Sequence, residues 1–324
     1  MAPRRLLGNP MINDDRTIEE FFTGYLEVVK DGEYNFLYRF GMKQRAFYEK
    51  EGEFYGMQSR FAAGIVLSTS ECEKISFDII CKSAEKYSLS VIHDGIEEER
   101  VFEKAKNHLE LAFHKEDVSL YFPHGAEIGV KNIEVIGNCC KASRNILSFG
   151  DSITQGYLIT EPAAAYTAAL GRQFHANVYN FGVSGYFIRK GILNELDVMP
   201  KPYMVTFAYG TNDWHFEKDY TADLPEVFAK LHKRFSDVPI FVILPIARMD
   251  EKTVVNKLGT LTQVREAIAA EAAGYNHFYV LRCGNQIDPS ADLCPDGIHP
   301  HSDGMRKLGR CLTKEIRADL QLSL

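Results

Sequence analysis

The 324-residue sequence predicts an α/β protein in two parts, an all-β sandwich over residues 1–140 and a three-layer α/β/α domain with a parallel sheet over residues 144–324. Three observations carry this. Apolar residues alternate with period two before residue 140, turn dipeptides punctuate that stretch, and strand-like and helix-like segments alternate after residue 144. The length itself exceeds what one ordinary core needs.

In the first part, Ile75, Phe77, Ile79 and Cys81 alternate with outward positions, as do Leu109, Leu111 and Phe113, and Val118, Leu120 and Phe122. This is the pattern of half-buried strands. Asp31-Gly32 and Asp94-Gly95 are hairpin signals, because glycine accepts the positive φ of such turns. Several short strands at this spacing predict a jelly-roll-like sandwich. A short helix around Ile18 to Phe22 precedes it.

In the second part, apolar runs predict strands at Ile146–Phe149, Val178–Asn180, Met204–Ala208, Ile240–Leu244 and Phe278–Leu281. Helical spacing between them covers Ala163–Phe174, Ile188–Leu196, Leu224–Phe235 and Val254–Ala273. A last helix with Ser302 as its N-cap runs through Met305, Leu308, Leu312 and Ile316. This alternation implies a parallel sheet covered on both faces, in a flavodoxin-like arrangement.

A formal net charge of −7 argues against nucleic-acid or acidic-membrane partners, which call for a basic surface. Prolines and charges interrupt Met1 to Thr17, so no signal-peptide core is expected, and the longest apolar runs are too short to span a bilayer. The seven cysteines are scattered and lack metal-like spacing. Reduced thiols in a cytoplasmic protein are the expectation. The sequence leaves the oligomeric state open.

Four segments stand at the ends of predicted strands: Gly150-Asp151-Ser152-Ile-Thr-Gln-Gly156, Asn180 to Gly185, Gly210-Thr-Asn212-Asp213, and Asp296-Gly-Ile-His299-Pro300. Each answers one need of acyl transfer. Asp296 and His299 are three residues apart, so one turn can bring the carboxylate to the imidazole Nδ1–H and leave Nε2 free to take a serine proton. Gly185 lacks a Cβ, so a substrate oxygen can approach its N–H. Asn212 offers a neutral amide donor to an oxyanion. Taken singly, the serine loop reads as a plain turn, and His299 beside His301 reads as a solvated pair. It is the ordered conjunction that carries meaning.

These segments resemble the four signature blocks of the SGNH (GDSL-type) serine hydrolase superfamily. The resemblance implies ester hydrolysis through an acyl-enzyme, without a metal or other cofactor. Ser152 is then the nucleophile, His299 the base and Asp296 its orienting partner, with the Ser152 N–H, Gly185 and Asn212 as the oxyanion hole. Asp151 shapes the loop and Asp213 supports Asn212 by hydrogen bonding. A sandwich before such a domain is similar to two-domain bacterial carbohydrate esterases, a likeness carried by Leu120-Tyr-Phe-Pro123 and Ala126-Glu-Ile-Gly-Val130. The implied substrate is a short-chain, chiefly acetyl, ester on a small molecule or oligosaccharide. An acyltransferase using the same acyl-enzyme, and a non-catalytic carbohydrate-binding protein, are the alternatives. Tyr157, Tyr186 and Trp214, next to the motif residues, are candidates for substrate contact, and Arg248 after the fourth strand is a further candidate to face the site.

Overall fold

The structure is a computed structural model, and it describes residues 14–194 and 199–321. Its first part opens with α1 (Asp14–Phe21), which buries Ile18 and Phe21. The Asp14 carboxylate accepts the N–H groups of Asn132 and Ile133 at 3.0 and 2.8 Å and so ties the helix to the sheet. Then come β1 (Phe22–Thr23), β2 (Glu27–Asp31), β3 (Tyr34–Tyr38), α2 (Met42–Glu51), α3 (Glu53–Ser59), β4 (Val66–Cys81), β5 (Tyr87–His93), β6 (Ile96–Phe102), β7 (Lys106–Tyr121) and β8 (Ile128–Cys139). Asp31-Gly32 joins β2 to β3 and Asp94-Gly95 joins β5 to β6. Both turns use positive φ, 59° at Gly32 and 76° at Gly95.

The antiparallel strands are hydrogen-bonded in the order β2-β3-β8-β4-β7-β5-β6, with β1 on β4. The sheet is continuous because β4 and β7, 16 residues each, run its whole depth with register shifts between Thr69 and Lys74. Period two is visible in the burial: Ile75, Phe77, Ile79 and Cys81 all lie in one core with Leu67, Leu120 and Phe122. Helices α2 and α3 lie outside the sequence expectation. The first buries only Gln44 and Tyr48, too little for an apolar stripe.

The second part runs β9 (Arg144–Gly150), α4 (Ser152–Gln155), α5 (Tyr166–Phe174), β10 (Ala176–Gly182), β11 (Met204–Ala208), α6 (Thr211–His215), α7 (Asp223–Arg234), β12 (Ile240–Ile243), α8 (Leu261–Ala272), β13 (Phe278–Leu281), α9 (Pro289–Asp292) and α10 (Ser302–Asp319). All pairings are parallel, in the order β10-β9-β11-β12-β13. Alternate residues face opposite layers. Leu147 and Phe149 pack with Phe228 and Ile268 of α7 and α8, whereas Ile146 packs with Leu170 and Leu312 of α5 and α10. The chain leaves β9 toward β10 and returns across it to β11. Such a switch point opens a crevice at the carboxyl ends of the strands.

Three helical expectations change. The helix expected over Val254–Ala273 starts at Leu261, because Thr260 caps it by accepting the Gln263 N–H and an Asn256–Gly259 bridge holds the preceding turn. The stretch Ile188–Leu196 contains only a short 3₁₀ turn, Lys190–Leu193, and its end lies outside the described residues. The cap of α10 is His301, whose ring accepts the Gly304 N–H, and Ser302 is the first helical residue. Among the described residues, no helix is long and apolar enough to cross a membrane. The seven cysteines are free thiols.

Candidate active site

Loops after β9, β10, β11 and β13 meet at the carboxyl end of the parallel sheet. After β9 the chain turns at Gly150, where a Cβ would stand 2.8 Å from the Ala208 carbonyl oxygen and 2.7 Å from the Thr154 Cβ. Only glycine fits so tight a corner. Asp151 caps α4 by accepting the Ile153 N–H at 3.0 Å. This turn leaves Ser152, 2% exposed, at the floor of the crevice.

The Ser152 Oγ lies 2.7 Å from His299 Nε2, and His299 Nδ1 lies 2.6 Å from Asp296 Oδ2. A carboxylate only accepts, so Nδ1 carries the ring proton and Nε2 accepts from the serine hydroxyl. The other oxygen, Asp296 Oδ1, accepts the N–H groups of Ile298 and His299 at 2.9 and 3.1 Å. Partial burial opposes ionisation of Asp296, but these hydrogen bonds and the His299 ring outweigh it and hold the carboxyl below its usual range. The loop is pinned at its base, where Cys294 N–H donates to the His299 carbonyl at 2.7 Å and His301 N–H to that of Asp292 at 3.1 Å. Tyr157 sets its ring edge-on to His299 at 5.1 Å between centroids.

Three candidate donors stand on the loops after β9, β10 and β11. The backbone N–H groups of Ser152 and Gly185 meet no acceptor among the described residues. Gly185 has φ +73°, and a Cβ there would come 3.2 Å from the Phe54 ring, so the loop both needs and hides a glycine. Asn212 donates one amide hydrogen to the Tyr186 carbonyl at 2.9 Å, which orients the side chain and leaves its second hydrogen free. Asp213 works differently from the expectation. Its carboxylate accepts the Ile188 N–H at 3.1 and 3.2 Å and braces the Gly185 loop instead of the Asn212 side chain. Burial pushes the carboxyls of both Asp151 and Asp213 up to about 7.

Sequence reasoning missed the support beneath these donors. Arg39, from the loop after β3, is fully buried. Its Nη1 donates to the carbonyls of Asn180 (2.9 Å) and Gly182, its Nη2 to Gln58 at 2.7 Å and its Nε to Phe61 at 3.0 Å. Gln155 accepts the Ser184 N–H at 2.8 Å and donates to the Gln58 side chain at 2.7 Å. The His124 ring holds the Gln155 carbonyl. The antiparallel part thus fixes the chain just ahead of Gly185. The only local signal was a charged residue set inside the apolar run Phe36 to Phe40.

Two expected contacts are corrected. Tyr186 is fully buried against Tyr48 and Tyr55, so its ring is out of reach of substrate, and it contributes its carbonyl to Asn212. Trp214, 1% exposed, donates from its indole to the Gly259 carbonyl at 3.0 Å. Two residues along a helix rotate by about 200°, which turns Trp214 away from the face of Asn212. Arg248 does sit at the crevice, over the Trp214 ring at 5.1 Å and paired with Asp250 at 2.9 Å. Among the described residues, no three His, Cys, Asp or Glu side chains group as a metal site would require.

Residues 148–307, which hold all of these loops, match the model of the GDSL-like lipase/acylhydrolase family. This region, just under half of the chain, is similar to that family. A search of curated protein sequences returns no match. Several solved structures share the architecture. A salicylyl-acyltransferase, SsfX3, from a tetracycline biosynthetic pathway superposes with TM-score 0.76 at 14% identity over 92% of this chain and 94% of its own. A protein described as a GDSL-like lipase from Bacteroides ovatus gives 0.69 at 17% identity over 95% and 98%. A family two carbohydrate esterase from Cellvibrio japonicus gives 0.63 at 12% identity over 93% and 96%. The fold, a parallel-sheet domain with a preceding antiparallel domain, is therefore shared over nearly the whole chain. The match over residues 148–307 supports an esterase or hydrolase.

Proposed function

We propose that the protein is a serine esterase that removes short acyl groups, acetyl foremost, from a small carbohydrate or similar alcohol. The observation that carries this is the continuous chain from Ser152 Oγ to His299 to Asp296, with hydrogen bonds of 2.7 and 2.6 Å. His299 Nε2 takes the hydroxyl proton as Oγ bonds to the ester carbon. The carbonyl electrons move onto oxygen, which receives hydrogen bonds from the Ser152 and Gly185 N–H groups and from Asn212. The intermediate collapses, the carbon–oxygen bond to the alcohol breaks, and His299 returns its proton to that oxygen. Water then attacks the acyl-enzyme by the same proton route and frees the acid and Ser152. The carbohydrate part of the proposal draws on the likeness to carbohydrate esterases.

Acyl transfer is a second reading, supported by the likeness to an acyltransferase at TM-score 0.76. A sugar or alcohol would then replace water in the second half-reaction. The test is turnover of p-nitrophenyl acetate and acetylated sugars by wild type and Ser152→Ala. The expected loss is about 10⁴-fold or more. Full activity in the mutant contradicts the proposal, and acyl products on added alcohols in place of free acid would favour transfer.

A further inference from the structure

Beside the triad stands a second histidine with the opposite polarity. His215, the last residue of α6, is exposed, and its Nδ1 lies 3.0 Å from Arg248 Nη2. A guanidinium has five donors and no acceptor. Nδ1 must therefore accept, and the proton of a neutral ring must sit on Nε2. Arg248 is itself fixed. It is fully buried, donates from Nε and Nη2 to the two oxygens of Asp250 at 2.9 Å each, and rests over Trp214. The whole assembly runs Trp214, Arg248–Asp250, His215, and ends on an N–H without a partner among the described residues.

Its location gives this N–H a use. His215, Arg248 and Asp250 line a recess of about 510 Å³ whose other wall is the base loop, Asp296, Gly297 and Ile298. His299 must hand its proton to the leaving oxygen, so the alcohol half of an ester lies on the side of that loop. The Phe216 ring, 51% exposed, stands edge-on to His215 at 4.7 Å and adds an apolar face beside the donor. A fixed neutral donor next to an exposed aromatic face suits a hydroxyl-rich ring more than an alkyl chain. Burial, the Arg248 charge and His299 all push the His215 ring below its usual range, which keeps it neutral and a single donor.

We propose that His215 donates a hydrogen bond from Nε2 to an oxygen of the substrate's alcohol moiety, a sugar, and that Arg248 is the positioning residue that locks this tautomer. The inference rests on the esterase reading for the identity of the reacting bond. Its test combines kinetics with two readouts that need no turnover. In His215→Ala the kcat/KM ratio of acetylated cellobiose to p-nitrophenyl acetate falls by roughly 3- to 10-fold, carried by KM, as for one neutral hydrogen bond. Arg248→Lys moves the ratio in the same direction, and His215→Gln, which keeps a donor amide, restores part of it. An unchanged ratio, or a change in acyl-length preference instead, overturns the proposal. In the Ser152→Ala protein, acetylated cellobiose binding read by the fluorescence of the single tryptophan is weakened by His215→Ala. Absence of binding, or binding indifferent to His215, counts against it. Imidazole ¹⁵N NMR of the same protein shows His215 protonated on Nε2, and a proton on Nδ1 refutes the lock. Failure of the esterase reading shows separately, as turnover that survives Ser152→Ala.

Discussion

The two sides of the crevice are built differently. On the oxyanion side, Ser152, Asn212 and Gly185 stand on buried supports, and Arg39, Gln58 and Gln155 tie the Ser152 and Gly185 loops to the antiparallel domain. On the base side, Asp296 and His299 ride a loop with side chains 34% and 14% exposed, held by short-range hydrogen bonds within the loop and by the Met249 N–H, which donates to the Gly297 carbonyl at 3.0 Å. The contrast follows from the chemistry. Oxyanion donors work by being rigid before the charge appears, so they gain from deep support. The base must reach both the nucleophile and a departing alcohol, so its side has to stay open to bulky substrate. On the proposed mechanism, the antiparallel domain would act on catalysis through the bonds from Arg39 and Gln58 that hold the chain ahead of Gly185.

Substitutions can break this contrast in graded steps. On the base side, His299→Ala is expected to lower kcat by about 10⁴- to 10⁶-fold, and Asp296→Ala by about 10³- to 10⁴-fold, in ester turnover assays with little loss of stability. On the oxyanion side, Asn212→Ala should cost about 10²- to 10³-fold in kcat, with KM little changed. Arg39→Lys tests the bracing. Lysine keeps the charge but not the forked geometry, so carbonyls of Asn180, Gly182, Gln58 or Phe61 lose donors. Thermal unfolding is expected several degrees lower, together with about a 10-fold loss in kcat. A stability loss with unaltered kcat would show that the domain only stabilises and does not tune the oxyanion loop.

The smallest effect concerns pH. Asp151 and Asp213 have carboxyls that burial raises to about 7, and both belong to the buried side. Between roughly pH 4 and 7 the folded chain holds protons there that the unfolded chain has released. Their contribution to stability is full below about pH 4 and is lost as the pH rises toward 7. Wild type should therefore lose more of its melting temperature over this range than Asp151→Asn, measured by scanning calorimetry. Equal slopes would place the titration elsewhere.

Much of this was legible in the sequence. Met204–Ala208 and Phe278–Leu281 are strands with the expected ends, because buried parallel strands read as short apolar runs. The four loop motifs meet because each follows a parallel strand, and parallel strands share one carboxyl end. What stayed hidden depended on side-chain direction or on distant partners. Proximity in sequence to Asn212 and Gly185 misplaced Trp214 and Tyr186, which point into the core. The Thr260 cap was present in the sequence as Thr-x-x-Gln, yet the apolar spacing upstream masked it. Arg39 left only the trace of a charge within an apolar run, since its acceptors are backbone carbonyls up to 143 residues away.

Covalent capture of the nucleophile tests the central claim most directly. Incubation with a fluorophosphonate, followed by intact-mass and peptide mass spectrometry, should give one adduct per chain on the peptide holding Ser152. Labelling should be slowed strongly by His299→Ala and abolished by Ser152→Ala. A folded protein that takes no adduct, or takes it on another residue, would contradict the account.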